Sequence, residues 1–509
     1  MIPKPPFAND LTLPQELEAF RELKPRLTEV WDTLTAADDS HCTSVVVPSL
    51  TLDQGELSAL AGAAYYEERL LFLLIRLRNP QAHVVYVTSQ PVHPSILDYY
   101  LNLLAGVPAS HASARLTMLC CHDASPRALT QKIIERPRLL QRIRAAVPDQ
   151  RRAYLTVFNS TPLERKLAVL LGIPLNGLDP DLQYHGTKSG SRRVFREAGV
   201  RLPEGFEDLH DENDVARALV ELRRSRPGIR RAIVKLNDSF SGEGNAVVHY
   251  PEEPTGDLSA ALAGIELPGS AASRSAYFEE LHRMGGVVEE YVEAAEKQSP
   301  SVQLRTSPRG EVLPVSTHDQ ILGGPHGQTY LGCRFPARDD YRLAMSEMAH
   351  RVGEVLASKG VVSRFGVDFL AAREHPGESW TLSALEINLR FLGTTHPFLA
   401  LSFLTGGHLD AATGQFLSIG GRPKFYRATD NLRSDSYRTL GPQDLIDIVT
   451  DNRLHYSHRS ESGVLFHLIG ALSEFGKLGV TAIANNAEEA DALYEHTLHV
   501  LDTESAYGR

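Results

Sequence analysis

Around residue 386, polar and apolar residues alternate strictly: Glu386, Asn388 and Arg390 against Leu385, Ile387 and Leu389. A period of two belongs to a β-strand, whose successive side chains point to opposite faces. The pattern therefore predicts a strand with a buried apolar row behind a polar one. Val361 to Leu370, carrying Asp368, reads as the preceding strand, and Glu374 to Gly377 as the turn between them. Paired as a hairpin, the two strands let Asp368 join Glu386 and Asn388. Two carboxylates and an amide oxygen are hard donors of the kind Mg²⁺ shares with phosphate groups. Arg390 extends the same face and suits bidentate contact with phosphate or a developing anion. The competing reading, a solvated charged face, does not call for an Asn-x-Arg pattern over a buried apolar row.

Two weaker signals lie upstream. Lys235 ends a predicted strand (Ala232 to Leu236), and the Gly/Ser-rich stretch Ser239 to Asn245 leads into a returning strand, Val247 to Tyr250. A cation beside a flexible backbone flap suits phosphate binding, although a plain hairpin turn fits the same residues. Farther on, Val287 to Val292 is an apolar strand ending in carboxylates, with Glu293 and Glu296 just after. It fits a hinge over a purine or, equally, an edge strand with exposed acids. A protein kinase places its Gly-rich loop before its lysine, whereas here Lys235 comes first. In Gly186-Thr187-Lys188-Ser189 a residue separates Gly from Lys, so the P-loop pattern is absent.

Composition narrows the class. The 509 residues carry a formal net charge of −11, which disfavours electrostatic binding to nucleic acid or acidic lipid. Four cysteines make no disulfide framework. No apolar run approaches the ~20 residues that span a bilayer, and the N-terminus lacks a secretory core. A reduced, cytoplasmic protein is expected.

The order Lys188, Lys235, Gly-rich loop, Glu-Glu-Tyr-Val, Asp368, Glu386-x-Asn388-x-Arg390 resembles the ATP-grasp superfamily of carboxylate–amine ligases, over roughly Tyr184 to Pro397. Ser299 to Gln303, Asp319-Gln320, Glu386 to Phe398 and Gly476 to Val480 look like the pheganomycin-type peptide ligases. The resemblance implies an α/β (α+β) chain with an ATP-grasp fold. A Rossmann-like preATP-grasp domain would cover 1–183, the ATP-grasp domain 184–400 (lobes about 184–290 and 291–400), and a C-terminal extension 401–509. Strands alternating with helices over the first 180 residues agree with a parallel sheet at that end.

The resemblance further implies ATP and Mg²⁺, with Mn²⁺ able to substitute. Lys188, Lys235, Ser239, Ser241, Gly242 and Gly244 would meet the phosphates, and Glu289, Glu290, Tyr291 and Val292 the adenine. Glu296, or Glu293, would bind ribose, and Asp368, Glu386 and Asn388 the metal. Arg390, Arg364 and Arg334 are the catalytic candidates. Arg364 stands four residues before Asp368, where some relatives carry an arginine two before; that nearer position is Gly366. The implied reaction joins a small-molecule or peptide carboxylate to an amine through an acylphosphate, without nucleic acid or membrane partners, and a homodimer is the expected assembly. An ATP-grasp phosphotransferase and a non-catalytic nucleotide-binding regulator are the alternatives.

Overall fold

The computed structural model describes residues 11–506 apart from 37–40, 53–56, 59, 239–243, 252–261, 263, 268–272, 324–328 and 411. Near the N-terminus, β1 (Cys42–Val47), β2 (Ala82–Thr88), β3 (Leu116–Cys120) and β4 (Ala153–Val157) form a parallel sheet in the order β3-β2-β1-β4. Its strands are apolar, as expected of a sheet covered on both faces. Between β1 and β2 runs a 3₁₀-helix, Ala63–Arg78. Between β3 and β4 lie two helices, Leu129–Ile134 and Pro137–Ala145. The break falls at Arg136, where the following proline disfavours helical backbone. Helix Pro162–Leu171 begins in a capping box: Thr161 Oγ1 accepts from Leu163 N (3.1 Å) and Glu164 accepts from Thr161 N (2.8 Å).

A small antiparallel sheet follows, in the order β5-β8-β6-β7, from β5 (Gly205–Leu209), β6 (Arg231–Leu236), β7 (Asn245–His249) and β8 (Gly286–Glu290). Helix Glu212–Ser225 packs Val215, Leu219 and Leu222 onto it.

The remaining strands are β9 (Glu296–Gln298), β10 (Pro300–Thr306), β11 (Val312–Gly323), β12 (Thr329–Phe335), β13 (Ser363–Arg373), β14 (Thr381–Asn388), a short hairpin β15 (His408–Leu409) and β16 (Phe416–Leu417), β17 (Phe425–Arg433), β18 (Gly463–His467) and β19 (Lys477–Ala484). All but the short hairpin join one antiparallel sheet, ordered β14-β13-β10-β11-β12-β17-β19-β18, with β9 beside β13. The expected boundary at 401 is thus no boundary in the sheet, because β12 pairs directly with β17 (Cys333↔Ala428). The C-terminal residues also share a core with the first unit: Leu71 and Leu74 of the 3₁₀-helix cluster with Leu401, Phe466 and Val480. Among the described residues no helix is long and apolar enough to cross a membrane.

Candidate active site

Asp368 and Glu386 lie directly opposite each other on β13 and β14. The ladder then shifts, so that Phe369 faces Ala384 and Leu385 is the extra residue of a bulge. Ala384 and Ile387 enter the core while Leu385 is only half-buried, which interrupts the expected apolar row of Leu385, Ile387 and Leu389. Bulges re-aim side chains in this way beside active sites. Asn388 Nδ2 donates to Asp368 Oδ2 (3.0 Å) and Glu386 Oε1 (3.2 Å), and Gln320 Nε2 of β11 donates to Asp368 Oδ1 (2.8 Å).

Both lysines reach this hairpin's neighbourhood from rigid elements. Lys188 opens helix Lys188–Glu197, whose first turn is capped by Thr187 Oγ1 accepting from Gly190 N (3.0 Å). Gly190 is required there, since a Cβ would lie 1.8 Å from the Tyr184 carbonyl oxygen. Asn237 Oδ1, at the end of β6, accepts from Ser189 N (2.9 Å) and ties the helix start to the small sheet. Lys188 Nζ then sits 2.6 Å from Glu386 Oε2. Lys235 Nζ is 2.5 Å from Glu289 Oε2, and the other oxygen of that carboxylate is 2.8 Å from Arg192 Nη1. Arg192 belongs to the same helix as Lys188. One buried carboxylate therefore fixes both lysine-bearing elements.

The electrostatics follow from this crowding. Burial and then the facing Glu386 push the Asp368 carboxyl up to about 8. Burial also penalises the Glu386 charge, but Lys188, Asn388 and Lys235 outweigh it and hold that carboxyl below its usual range. Glu289 is likewise held down: its burial is overcome by Lys235 and Arg192. Two facing carboxylates, one of them retaining a proton, are a donor set that a divalent cation would resolve. Asp368, Glu386 and Asn388 thus fit a Mg²⁺ site. Asn388 would have to present Oδ1 rather than the amide nitrogen that now faces both acids.

Comparison with known proteins bears on this arrangement. The chain is 32% identical over 461 residues, 89% of its length and 92% of the relative's, to L-propargylglycine--L-glutamate ligase of Streptantibioticus cattleyicolor. The chain belongs to the ATP-grasp ligases. A family described as IQCH-like, ATP-grasp matches residues 181–252 and 272–412 of the ligase, and one described as PGM1 C-terminal domain matches 444–497. The ligase is also 24% identical to IQ motif-containing protein H of Danio rerio, spanning 42% of that longer protein. Among solved structures, its fold is similar to the ADP complex of N5-carboxyaminoimidazole ribonucleotide synthetase (TM-score 0.52, 12% identity, 92% of this chain and 98% of that one). It is similar too to a nucleotide complex of biotin carboxylase from Campylobacter jejuni (TM-score 0.54, 13% identity, 92% and 94%). The ATP-grasp fold and ligase class expected from the sequence are those found.

Several of the expected contact residues of the ligase already have side-chain partners. The Glu289 carboxylate is engaged by Lys235 and Arg192, and so positions the lysine. Glu290 accepts from Glu204 N (3.0 Å) and Arg226 (3.2 Å). The Tyr291 ring meets Arg231 (4.0 Å) and Lys297 (4.9 Å). Glu296 is committed to Arg373 of β13 (2.5 Å), and Glu293 holds Arg231 through two contacts of 2.7 Å. Arg334 points to the C-terminal helix, Ala487–Ala506, with Nε 3.1 Å from both Asp491 oxygens. Arg364 shares the sheet face of Asp368 but pairs across with Arg305 instead. Ser239, Ser241 and Gly242 lie outside the described residues. Gly244, at the loop's base, accepts from Leu236 N and the Tyr277 hydroxyl, both at 3.1 Å. Sequence reasoning missed Asn237 and Arg192, which act through tertiary contact and carry no local motif, and noted Gln320 only as part of the family resemblance without a role at Asp368.

Proposed function

We propose that this ATP-grasp ligase activates the carboxylate of one amino acid, or modified amino acid, with ATP and transfers the acyl group to the amine of a second amino acid or a peptide. The observation that carries this is the convergence of Asp368, Glu386 and Asn388 with Lys188. The carboxylate and the γ-phosphate repel each other, and catalysis of such a transfer consists mainly of neutralising and aligning them. Lys188 and Lys235 stand ready to take phosphate oxygens, and Arg390, on the same strand face, a developing anion. Mg²⁺ bound by Asp368, Glu386 and Asn388 would neutralise phosphate charge. The backbone at Tyr291 and Val292 would meet the adenine. The amine attacks the acyl carbon, an amide forms, and phosphate and ADP leave. Support by Mn²⁺, a homodimeric state and a cytoplasmic setting belong to the same reading.

The test is ADP release over pairs of amino acids and short peptides, with mass spectrometry of the products. ADP, phosphate and an amide formed only when both substrates are present are expected. A stable phosphate ester would make the protein a kinase, and nucleotide binding without turnover across the panel would make it a regulator. Glu386→Ala should cost well over tenfold in turnover; retention of more than a tenth would remove its metal-ligand role.

A further inference from the structure

Arg305 of β10 and Arg364 of β13 are direct antiparallel partners, so their side chains leave the same face of the sheet side by side. Like charges placed opposite in this way destabilise a sheet. Arg76, at the end of the 3₁₀-helix, faces the same small cavity, of about 30 Å³, and Arg390 lines it as well. Among the described residues none of the Arg76, Arg305 and Arg364 guanidiniums has a carboxylate within ion-pair distance. Arg305 donates to Asn176 Oδ1 (3.1 Å) and stacks on Trp31 (4.1 Å), and Arg76 lies over the Tyr154 ring (5.4 Å). Burial, and then the neighbouring arginines, lower the proton affinity of Arg364 well below the usual value and bring Arg305 down to about 10. A chain with net charge −11 has acids to spare, yet supplies none here.

The position is informative as well. Residues just past the end of β4, Phe158 to Ser160, line the cavity. In the order β3-β2-β1-β4 the chain reverses direction of growth between β1 and β4, and open α/β sheets bind ligands outside the strand ends at such a point. The volume takes one or two waters, or a single carboxylate, but not a ring or a nucleotide.

We propose that Arg76, Arg305 and Arg364 form a binding site for the free carboxylate of the amino acid that supplies the amine. The inference rests on the ligase reading for the identity of that substrate. Arg364 is four residues from Asp368 along β13, about 13 Å at the usual strand rise. That spacing sets a carboxylate held by Arg305 and Arg364 apart from the one phosphorylated beside Asp368 and Glu386, and Arg390 adjoins both positions. In joining two amino acids, the amine-bearing partner always keeps its own carboxylate, and that group needs a cationic seat away from the phosphates.

The test is calorimetric titration of the full chain with the twenty amino acids and their C-terminal amides, with and without Mg²⁺ and a non-hydrolysable ATP analogue. At least one amino acid should bind tenfold or more tightly than its amide. Arg364→Gln and, separately, Arg305→Gln should reduce that preference to under threefold, leave nucleotide affinity unchanged, and leave the melting temperature of the free protein equal or higher. Isotope-labelled product should show the preferred amino acid joined through its nitrogen. Joining through its carbon would overturn the assignment to the amine partner. Equal binding of acid and amide, binding of no amino acid, or a preference that survives both variants would overturn the site. Failure of the ligase reading would show separately, as absence of ADP release from every substrate pair.

Discussion

Replacing Asp368 by Asn should make the nucleotide-free protein more stable while abolishing its chemistry. Asp368 faces Glu386 across the hairpin, and its carboxyl is pushed up from 3.8 to about 8. A raised carboxyl favours the fold below its unfolded value, and that contribution is lost as pH rises towards the folded one. Between 3.8 and pH 7 the full shift would cost about 4 kcal/mol, at ~1.4 kcal/mol per pH unit. Solvent reaching the half-buried pair, and its coupling to Lys188, reduce this to roughly 1–3 kcal/mol. Asparagine keeps the shape, still accepts from Gln320, and carries no charge to penalise. Urea unfolding at pH 7 without nucleotide should therefore show the variant more stable by about that amount. ADP release with the best substrate pair should fall by about 100-fold or more, since the variant lacks one of two anionic donors. A variant less stable than the parent, or one retaining a tenth of its turnover, would refute the reasoning.

Other outcomes follow from the same geometry. Glu289→Gln leaves Lys235 and Arg192 buried without their shared carboxylate; it should cost about 3–5 kcal/mol in urea unfolding, and a loss under 1 kcal/mol would contradict the clamp. Gly190→Ala drives a Cβ into the Tyr184 carbonyl and should shift the start of the Lys188 helix, seen as weakened ATP binding by titration; unchanged affinity would mean the turn adapts freely. Glu68 is buried against Gly470 N (3.0 Å), and burial pushes it from 4.5 up to about 7. Its stabilisation is complete below pH 4.5 and lost as pH rises through 7. The melting-temperature gain of Glu68→Gln over the parent should thus be larger at pH 8 than at pH 5, and an equal gain at both would count against it. Thr161→Ala removes a capping box and should cost about 1 kcal/mol by the same unfolding assay.

The hairpin bearing Asp368, Glu386 and Asn388 was legible because a two-residue period reports a strand face directly. The bulge at Leu385 was not, since it depends on register with a neighbouring strand. Lys188 was placed near Glu386 by its order in the chain, while the start of its helix, capped by Thr187, went unread. Arg334 looked free because its partner, Asp491, lies 157 residues away. Nothing local shows that Arg192 reaches the Glu289 carboxylate. The C-terminal strands read as a separate extension for a similar reason. Strand pairing between β12 and β17 joins residues about ninety apart in the sequence, with no repeat or motif to announce it.

That last pairing bears on how the enzyme is made. While the ribosome is still adding the final hundred residues, β12 has no outer neighbour, and its backbone donors and acceptors form an open edge of the kind that recruits other chains. Nascent molecules, and any engineered version ended near residue 400, should therefore gather into insoluble material, although every proposed nucleotide contact has already been translated.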